Sequence, residues 1–186
     1  MQEFVLDYDW LTLLSNWIYI WWHWPVIIVV AVWLFVYQPL TYRRYRDAFV
    51  LSGAVGLVFF AAMPVAPPRI ADPDIVDTIA LHSSEYRSYE TPAFVNRYAA
   101  FPSLHFAWNL LAAMAVFFGT RNRILRAGAV GSPAVVLLAI VVTGNHFLLD
   151  AVAGAALALL ALLVAQRLVL IPAPAPAAVR VAPRSD

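Results

Sequence analysis

The sequence contains no cysteine and no lysine, and only 12% of its 186 residues are charged. Without cysteine the chain cannot form disulfides or thiolate metal sites. Without lysine, all twelve basic residues are arginine. Each guanidinium can bind a carboxylate or a phosphate through its planar fork, although genome composition would produce the same bias. The shortage of charge excludes an ordinary soluble domain.

Hydrophobic residues make up 63% of the chain and occur in long runs. A membrane-spanning helix needs about 20 mostly apolar residues. Five runs predict such helices: 24–41, 47–64, 103–119, 127–145 and 147–170. Residues 10–22 form a shorter run rich in Trp and Tyr, which predicts an interfacial helix or, alternatively, the lower part of a long first span. The predicted fold class is all-α, a polytopic bundle of about five to six transmembrane helices.

The arginines are concentrated after alternate predicted spans. Residues 42–46 follow the first span, residues 121–126 follow the third, and Arg167, Arg180 and Arg184 follow the apolar part of the fifth. Arginine-rich segments stay in the cytoplasm. We therefore expect the acidic N-terminus, residues 65–102 and the junction near His146 on the extracytoplasmic side of a plasma or inner membrane, with the functional site on that face.

The segment 65–102 is too long for a simple connection. Asp72 before Pro73 and Thr91 before Pro92 each provide a capping side chain followed by proline at the first helical position. Two short helices are therefore expected, in an ordered extracytoplasmic cover.

The end of the chain has a different composition. Residues 171–186 are rich in Ala and Pro, which predicts a disordered cytoplasmic tail. Residues 1–170 are then a single membrane-embedded domain, and no internal repeat divides it.

The stretch "TGNHFLLD" places His146 and Asp150 four residues apart, on one face of the helix that begins there. An ionisable residue inside a span needs a polar partner, and His146 is the nearest. A carboxylate that accepts Nδ1–H would leave Nε2 available for chemistry. Two alternatives stay open: a structural polar pair, or a metal site completed by a second histidine, for which no fourth ligand has recognisable spacing.

The stretch "FPSLH" supplies that second histidine. Pro102 or Ser103 begins a span, and a helix N-terminus with unpaired N–H groups and a serine hydroxyl is suited to an anion. His105 lies just inside. In the arginine-derived topology His105, His146 and Asp150 share the outer boundary, so we expect them in one pocket.

The motif "PSLH", followed by His-x-x-x-Asp at a helix start, resembles the type 2 phosphatidic acid phosphatase superfamily. The resemblance implies that His146 is the nucleophile, Asp150 orients it, His105 protonates the leaving group and Ser103 binds phosphate. It implies a metal-independent lipid phosphate phosphatase or phosphotransferase that works through a phosphohistidine, with no cofactor. The expected partners are membrane lipids, a lipid phosphate or phospholipid substrate and, in a transferase, an alcohol acceptor. Nothing in the sequence points to nucleic acid or to an oligomeric state.

Some positions depart from the family pattern. Leu104 replaces the usual glycine, Ala139 and Ile140 stand where a Ser-Arg pair would fall, and the first-motif lysine is absent. The stretch "MPVAPPR", with "PSLH" and "GNHFLLD", is more similar to the branch of inositol phosphorylceramide synthases, which transfer a headgroup between lipids. We expect Arg69 and Arg97 to replace the missing phosphate ligands.

Other residues and functions have simpler explanations. His23 in "WWHWP" is expected to be an interfacial histidine and His82 a loop residue, while Arg87 is expected to be solvated or ion-paired. A non-catalytic scaffold of the same fold, or a transporter, would also contain buried ionisable residues. Paired broken spans and an inverted repeat, which a transporter would favour, are not evident.

Overall fold

The computed structural model describes residues 2–82 and 96–169, and these residues are predominantly helical. The helices are α1 (Gln2–Leu6), α2 (Asp9–Trp17), a π-helical turn (Ile18–Trp22), α3 (His23–Tyr37), α4 (Pro39–Ala62), α5 (Pro68–Ala71), α6 (Thr78–His82), α7 (Leu104–Gly119), α8 (Arg123–Val142) and α9 (Leu148–Val169). The predicted second helix of the cover, at Thr91, the predicted role of Arg87 and the predicted tail 171–186 all lie outside the described residues.

Within the described residues, four helical stretches are long and apolar enough to cross a membrane: Asp9–Tyr37, Pro39–Ala62, Arg123–Val142 and Leu148–Leu168. Helix α7 is apolar but has 16 residues, or about 24 Å at 1.5 Å per residue. It lies centrally and packs against α3, α4, α8 and α9. The protein is therefore a multi-pass membrane protein with an all-α fold, as the apolar runs predicted.

The boundary between the first two spans differs from the prediction. Helix α3 ends at Tyr37, and Pro39 begins α4 as its first residue. The arginine-rich residues 42–46 therefore lie in the first turns of α4, where a connecting loop was expected. Proline at the first helical position explains the early start, because its missing N–H has no partner to lose there.

Residues 10–22 are continuous with the first span, because helical structure runs from Asp9 to Tyr37. This continuity corresponds to the alternative of a long first helix. The π-helical turn immediately precedes Pro25, which cannot donate a backbone hydrogen bond and crowds the carbonyl of Trp21. The wider turn accommodates that defect within the helix.

Polar side chains connect this turn to the neighbouring helices. The Trp22 indole Nε1 donates to Ser132 Oγ at 3.0 Å, and Ser132 Oγ donates to Asn109 Oδ1 at 3.1 Å. Few competing polar partners exist among packed transmembrane helices. Such contacts therefore fix the positions of the π-helical turn, α7 and α8 relative to one another.

The start of α7 packs against α9 at backbone distance. A Cβ atom built on Gly154 would lie 2.3 Å from the carbonyl oxygen of Ser103. Glycine at position 154 therefore permits the close approach of α9 to the start of α7.

The described part of the cover is ordered by the N-terminal helices. Gln2 Nε2 donates to the carbonyls of Val76 and Val142 at 2.8 and 2.9 Å. Asn16 Nδ2 donates to the Thr78 carbonyl at 2.8 Å, and Thr78 Oγ1 donates back to Asn16 Oδ1 at 2.6 Å. The segment before α6 is thus bound to both α1 and α2.

The first predicted cover helix begins later than expected. Asp72 accepts a hydrogen bond from the N–H of Asp74 and forms a turn, so it does not cap a helix. Asp77 instead accepts from the N–H groups of Ile79 and Ala80, at 3.1 and 3.0 Å, and α6 begins at Thr78. A short carboxylate suits either a turn or a cap, and the capping motif at Asp72 was therefore misleading.

Candidate active site

A tight turn after α8 positions His146. Gly144 has a φ of +67°, and the N–H groups of Asn145 and His146 both donate to the carbonyl of Ile140, at 3.2 and 3.0 Å. Glycine is the residue that adopts this conformation without strain. The turn ends one span and presents His146 immediately before α9, with only 4% of its surface exposed.

The imidazole of His146 is fixed through Nδ1, which lies 2.8 Å from the carbonyl oxygen of Ala100. A carbonyl oxygen only accepts, so Nδ1 carries the hydrogen and Nε2 presents its lone pair. The Asp150 Oδ2 atom is 3.6 Å from the same Nδ1, beyond ordinary hydrogen-bond range. The predicted pair is therefore adjacent, but a main-chain oxygen is the direct acceptor.

The carboxylate of Asp150 also caps the start of α9. Its Oδ2 accepts a hydrogen bond from the N–H of Phe147 at 2.8 Å, which satisfies one of the unpaired donors of that helix end. The Asp150 carbonyl also accepts from the Ser103 N–H at 2.9 Å. One residue thus joins the two sequence motifs through its backbone and its side chain.

The carbonyl of Ala100 is held in place by its own neighbours. The N–H of Val65 donates to the carbonyl of Tyr98 at 2.7 Å, and the N–H of Ala100 donates to the carbonyl of Val65 at 3.3 Å. The chain before α7 is therefore anchored to the chain after α4, which fixes the acceptor that holds His146.

His105 lies beside His146, as the shared boundary predicted. The two ring centroids are 5.9 Å apart. The ring of Tyr19 stacks on His105 at 4.6 Å with an interplanar angle of 23°, and His23 meets His105 edge-on at 4.6 Å. His105 therefore contacts two aromatic rings besides His146, and Tyr19 also lies near His146, with ring centroids 6.5 Å apart.

His23 was not predicted to belong to this site. It is 6% exposed and lines the same cavity as the other two histidines, whereas its expected place at the membrane interface stays a prediction. The available signal was Pro25, because a proline inside a helix redirects nearby side chains through a widened turn. His82 lies at the end of α6 and does not line this cavity.

A cavity of about 370 Å³ opens in front of the histidines. Its polar lining among the described residues comprises Tyr19, His23, Arg69, Asn96, Arg97, His105, Asn145 and His146. The first residues of α7, Leu104 and His105, also line it, and the N–H groups of a first helical turn have no acceptor within their own helix. The cavity combines cations, imidazoles and helix amides, a set suited to an anion.

Arg69 is oriented by several contacts. Its Nε lies 3.2 Å from Asp77 Oδ2, its NH1 donates to Asn145 Oδ1, and its backbone N–H donates to the Gly144 carbonyl at 3.0 Å. Asn145, which the motif reading did not single out, is in turn held by the hydroxyl of Thr143 at 2.8 Å. Arg69 is thus tied to the turn that carries His146, whereas Arg97 is exposed at the cavity rim.

Ser103 is the predicted site residue that does not line the cavity among the described residues. It is fully buried, and its Oγ accepts from the N–H of Phe106 at 3.4 Å as the N-cap of α7. Its predicted contact with phosphate stays a prediction. The observed bond makes it the residue that begins the helix carrying His105.

The positions that depart from the family pattern have apolar surroundings. Leu104 packs over Gly56, where an added Cβ would lie 2.8 Å from Leu104 Cδ2. Ala139 and Ile140 are buried at 2% and 0% exposure, so the places of the usual Ser-Arg pair belong to the helix core. In the described ranges, no group of three or more His, Asp or Glu side chains is arranged to hold a metal ion.

Comparison with known families decides the relationship. A family model described as the PAP2 superfamily matches residues 1–164. The chain belongs to the PAP2 superfamily. Membership indicates an enzyme of the phosphatase or phosphotransferase type. No curated protein and no solved structure matches the chain.

Proposed function

We propose that this PAP2 member is a lipid-phosphoester phosphatase or phosphotransferase that works through a phosphohistidine at the extracytoplasmic membrane face. The observation that carries the proposal is the pairing of two histidines, His146 buried and His105 partly buried, over one cavity. His146 has Nδ1 held by Ala100 at 2.8 Å, and its ring lies 5.9 Å from that of His105. This spacing allows one phosphoryl group to contact both imidazoles.

In the first step, Nε2 of His146 attacks phosphorus and the bond to the leaving oxygen breaks. His105 gives its proton to that oxygen, so the alcohol leaves neutral. The imidazole of His146 gains positive charge as the N–P bond forms. The Ala100 carbonyl and the Asp150 carboxylate, 2.8 and 3.6 Å from Nδ1, stabilise that charge.

In the second step, an oxygen nucleophile attacks the phosphohistidine. His105, now neutral, accepts its proton, the P–N bond breaks, and both histidines return to their starting states. Water yields a free phosphate or headgroup phosphate, and an alcohol yields a transferred ester.

The charge of the phosphoryl oxygens is balanced by guanidinium groups and amides. Arg69 is oriented by Asp77 and Asn145, Arg97 lies at the rim, and Leu104 and His105, the first residues of α7, line the cavity. Oriented donors of this kind stabilise a transition state more than flexible ones, because they need not reorganise. Ser103 assists by fixing the start of α7.

A second candidate is transfer of a phosphoinositol-type headgroup between lipids. The polar lining of the cavity favours it, since Asn96, Asn145, Tyr19 and His23 offer amides, a phenol and an imidazole that suit the hydroxyls of a polyol. The similarity of "MPVAPPR" to the inositol-transferring branch points the same way. A non-catalytic scaffold or a transporter would use the same fold without a covalent intermediate.

The test is phosphate release from a short-chain lipid phosphate by purified protein, with a chelator present. We expect turnover and a phosphoenzyme that His146→Ala abolishes. His82→Ala is the matched control, because His82 lies outside the cavity. Equal turnover by wild type and His146→Ala would contradict the proposal, and labelled phospholipid with a panel of polyols would separate hydrolysis from transfer.

A further inference from the structure

A second cavity lies between α3 and α4 and has a volume of about 560 Å³. Its lining is almost entirely apolar and includes Ile27, Ala31 and Leu34 from α3 and Phe49, Gly53 and Leu57 from α4. It is an apolar groove formed by two helices that are each long enough to span the membrane. We refer to it as the α3–α4 groove.

The groove borders the histidine cavity. Trp24 and Trp108 line both. Trp108 is held at this junction, because its Nε1 donates to Ser52 Oγ at 3.3 Å. A Cβ added to Gly53 would lie 3.1 Å from Trp108 Cζ2, so glycine leaves the space that the indole occupies.

The groove also runs in the direction that a membrane lipid would take. Helices α3 and α4 are consecutive and separated by one residue, so the His23 end of α3 lies beside the second half of α4, where Gly53 and Leu57 line the groove with Trp24. From Trp24 to Leu34 the α3 wall extends about 15 Å at 1.5 Å per residue. That length is about half of a hydrocarbon core of roughly 30 Å, the depth of one leaflet.

We propose that the α3–α4 groove binds one hydrocarbon chain of the substrate lipid while its phosphate lies in the histidine cavity. This inference rests on the proposed function and adds a specificity site to it. The depth of the groove comes from small residues, since Ala31, Gly53 and Ala54 lie among larger apolar neighbours. Measured from water, burial of each methylene contributes about fourfold in affinity. A bilayer offers a chain the same gain, so the groove is tested by the difference between variants and not by chain-length preference alone.

The experiment narrows the groove and follows chain-length preference. Ala54→Phe places a ring in the groove, whereas Val32→Phe adds the same ring to the lipid-facing side of α3, where Val32 is 57% exposed and does not line the groove. Both proteins, in phosphatidylcholine nanodiscs, are given monoalkyl phosphates of graded chain length. We expect Ala54→Phe to lower kcat/KM for long chains by at least about tenfold relative to Val32→Phe, with a much smaller change for the shortest chain.

A binding measurement separates this inference from the enzymatic function. Non-hydrolysable alkylphosphonates of the same chain lengths report affinity without turnover. The protein could bind these compounds with a chain-length dependence that Ala54→Phe removes, yet show no turnover. That result would support chain binding in the groove and contradict the proposed enzymatic function. Equal effects of Ala54→Phe and Val32→Phe at every chain length, in turnover and in binding, would overturn the proposal. The groove would then be a surface in contact with bulk lipid and not a site for the substrate chain.

Discussion

Replacement of Asp150 by asparagine tests how His146, the proposed nucleophile, is stabilised. Asparagine keeps the shape of the side chain and an oxygen that can accept from the N–H of Phe147, but it removes the negative charge. The Ala100 carbonyl still accepts from Nδ1 of His146 at 2.8 Å, so the tautomer should not change. The variant therefore isolates the charge 3.6 Å from the imidazole.

The expected loss follows from that distance. At an effective dielectric constant of about 20, unit charges 3.6 Å apart interact by about 4.6 kcal/mol. If the imidazole has gained about half of its positive charge in the transition state, the loss is about 2.3 kcal/mol, or roughly 50-fold in rate. A wrong tautomer would cost far more, on the order of 10⁴-fold.

The assay is the single-turnover rate of phosphoenzyme formation, with ¹⁵N NMR of His146 to identify the protonated nitrogen. We expect Nδ1 to stay protonated in Asp150→Asn and the rate to fall by one to two orders of magnitude. Asp150→Ala, which also removes the helix cap, should lose about 1 kcal/mol of stability in addition. A proton moved to Nε2, or a rate within threefold of wild type, would refute the reasoning.

The other predictions concern the histidines and one packing contact. His146→Ala should abolish phosphoenzyme formation, whereas His105→Ala should retain activity on substrates with good leaving groups, because these need little proton donation; rates on aryl and alkyl phosphates measure the difference. His23→Leu should alter the dependence on the leaving group in the same sense as His105→Ala but more weakly, because His23 contacts the ring of His105 at 4.6 Å and transfers no proton itself in the proposed steps; the same two substrate classes test it. Gly154→Ala should destabilise the protein by about 1–3 kcal/mol, because the new methyl group meets the Ser103 carbonyl 2.3 Å away; thermal unfolding in detergent measures the loss.

Each of these has a control or a contrary outcome. Gly128→Ala is the control for Gly154→Ala, since nothing lies within 4 Å of a Cβ there and alanine favours a helix by about 1 kcal/mol. Equal unfolding temperatures for the two variants would contradict the close approach of α7 and α9. A uniform loss in His105→Ala on aryl and alkyl substrates would remove its role as general acid, and an unchanged leaving-group dependence in His23→Leu would limit His23 to packing.

The helical fold could be predicted from the sequence because the membrane restricts which backbone conformations can cross it. Every N–H and C=O group in lipid must be satisfied within the protein, and an apolar run of sufficient length achieves this as a helix. The predicted runs 103–119 and 147–170 therefore agree closely with α7 and α9. The adjacency of His146 and Asp150 was equally local, since they are four residues apart, although His146 lies two residues before α9 and not on its face as predicted.

The sequence could not identify the bonds that complete the site. The acceptor for His146 is the carbonyl of Ala100, 46 positions away, and a main-chain oxygen has no signature in the residue letters. Local pattern also predicted the wrong helix cap, because Asp72 before Pro73 matches a capping motif, whereas Asp77 caps the helix in the structure. Contacts of α6 with α2, through Thr78 and Asn16, accompany the later start.

The sequence by itself determined the apolar helical runs and predicted that His105 and His146 share one end of the bundle. The tertiary structure decided that His23 joins them, that Ser103 caps a helix instead of lining the cavity, and that an apolar groove borders the site. The physical reason is the range of the forces involved. Helix formation depends on residues within about one turn, and so does the helix face on which a side chain lies. A hydrogen-bond partner or a cavity depends instead on how helices distant in sequence pack.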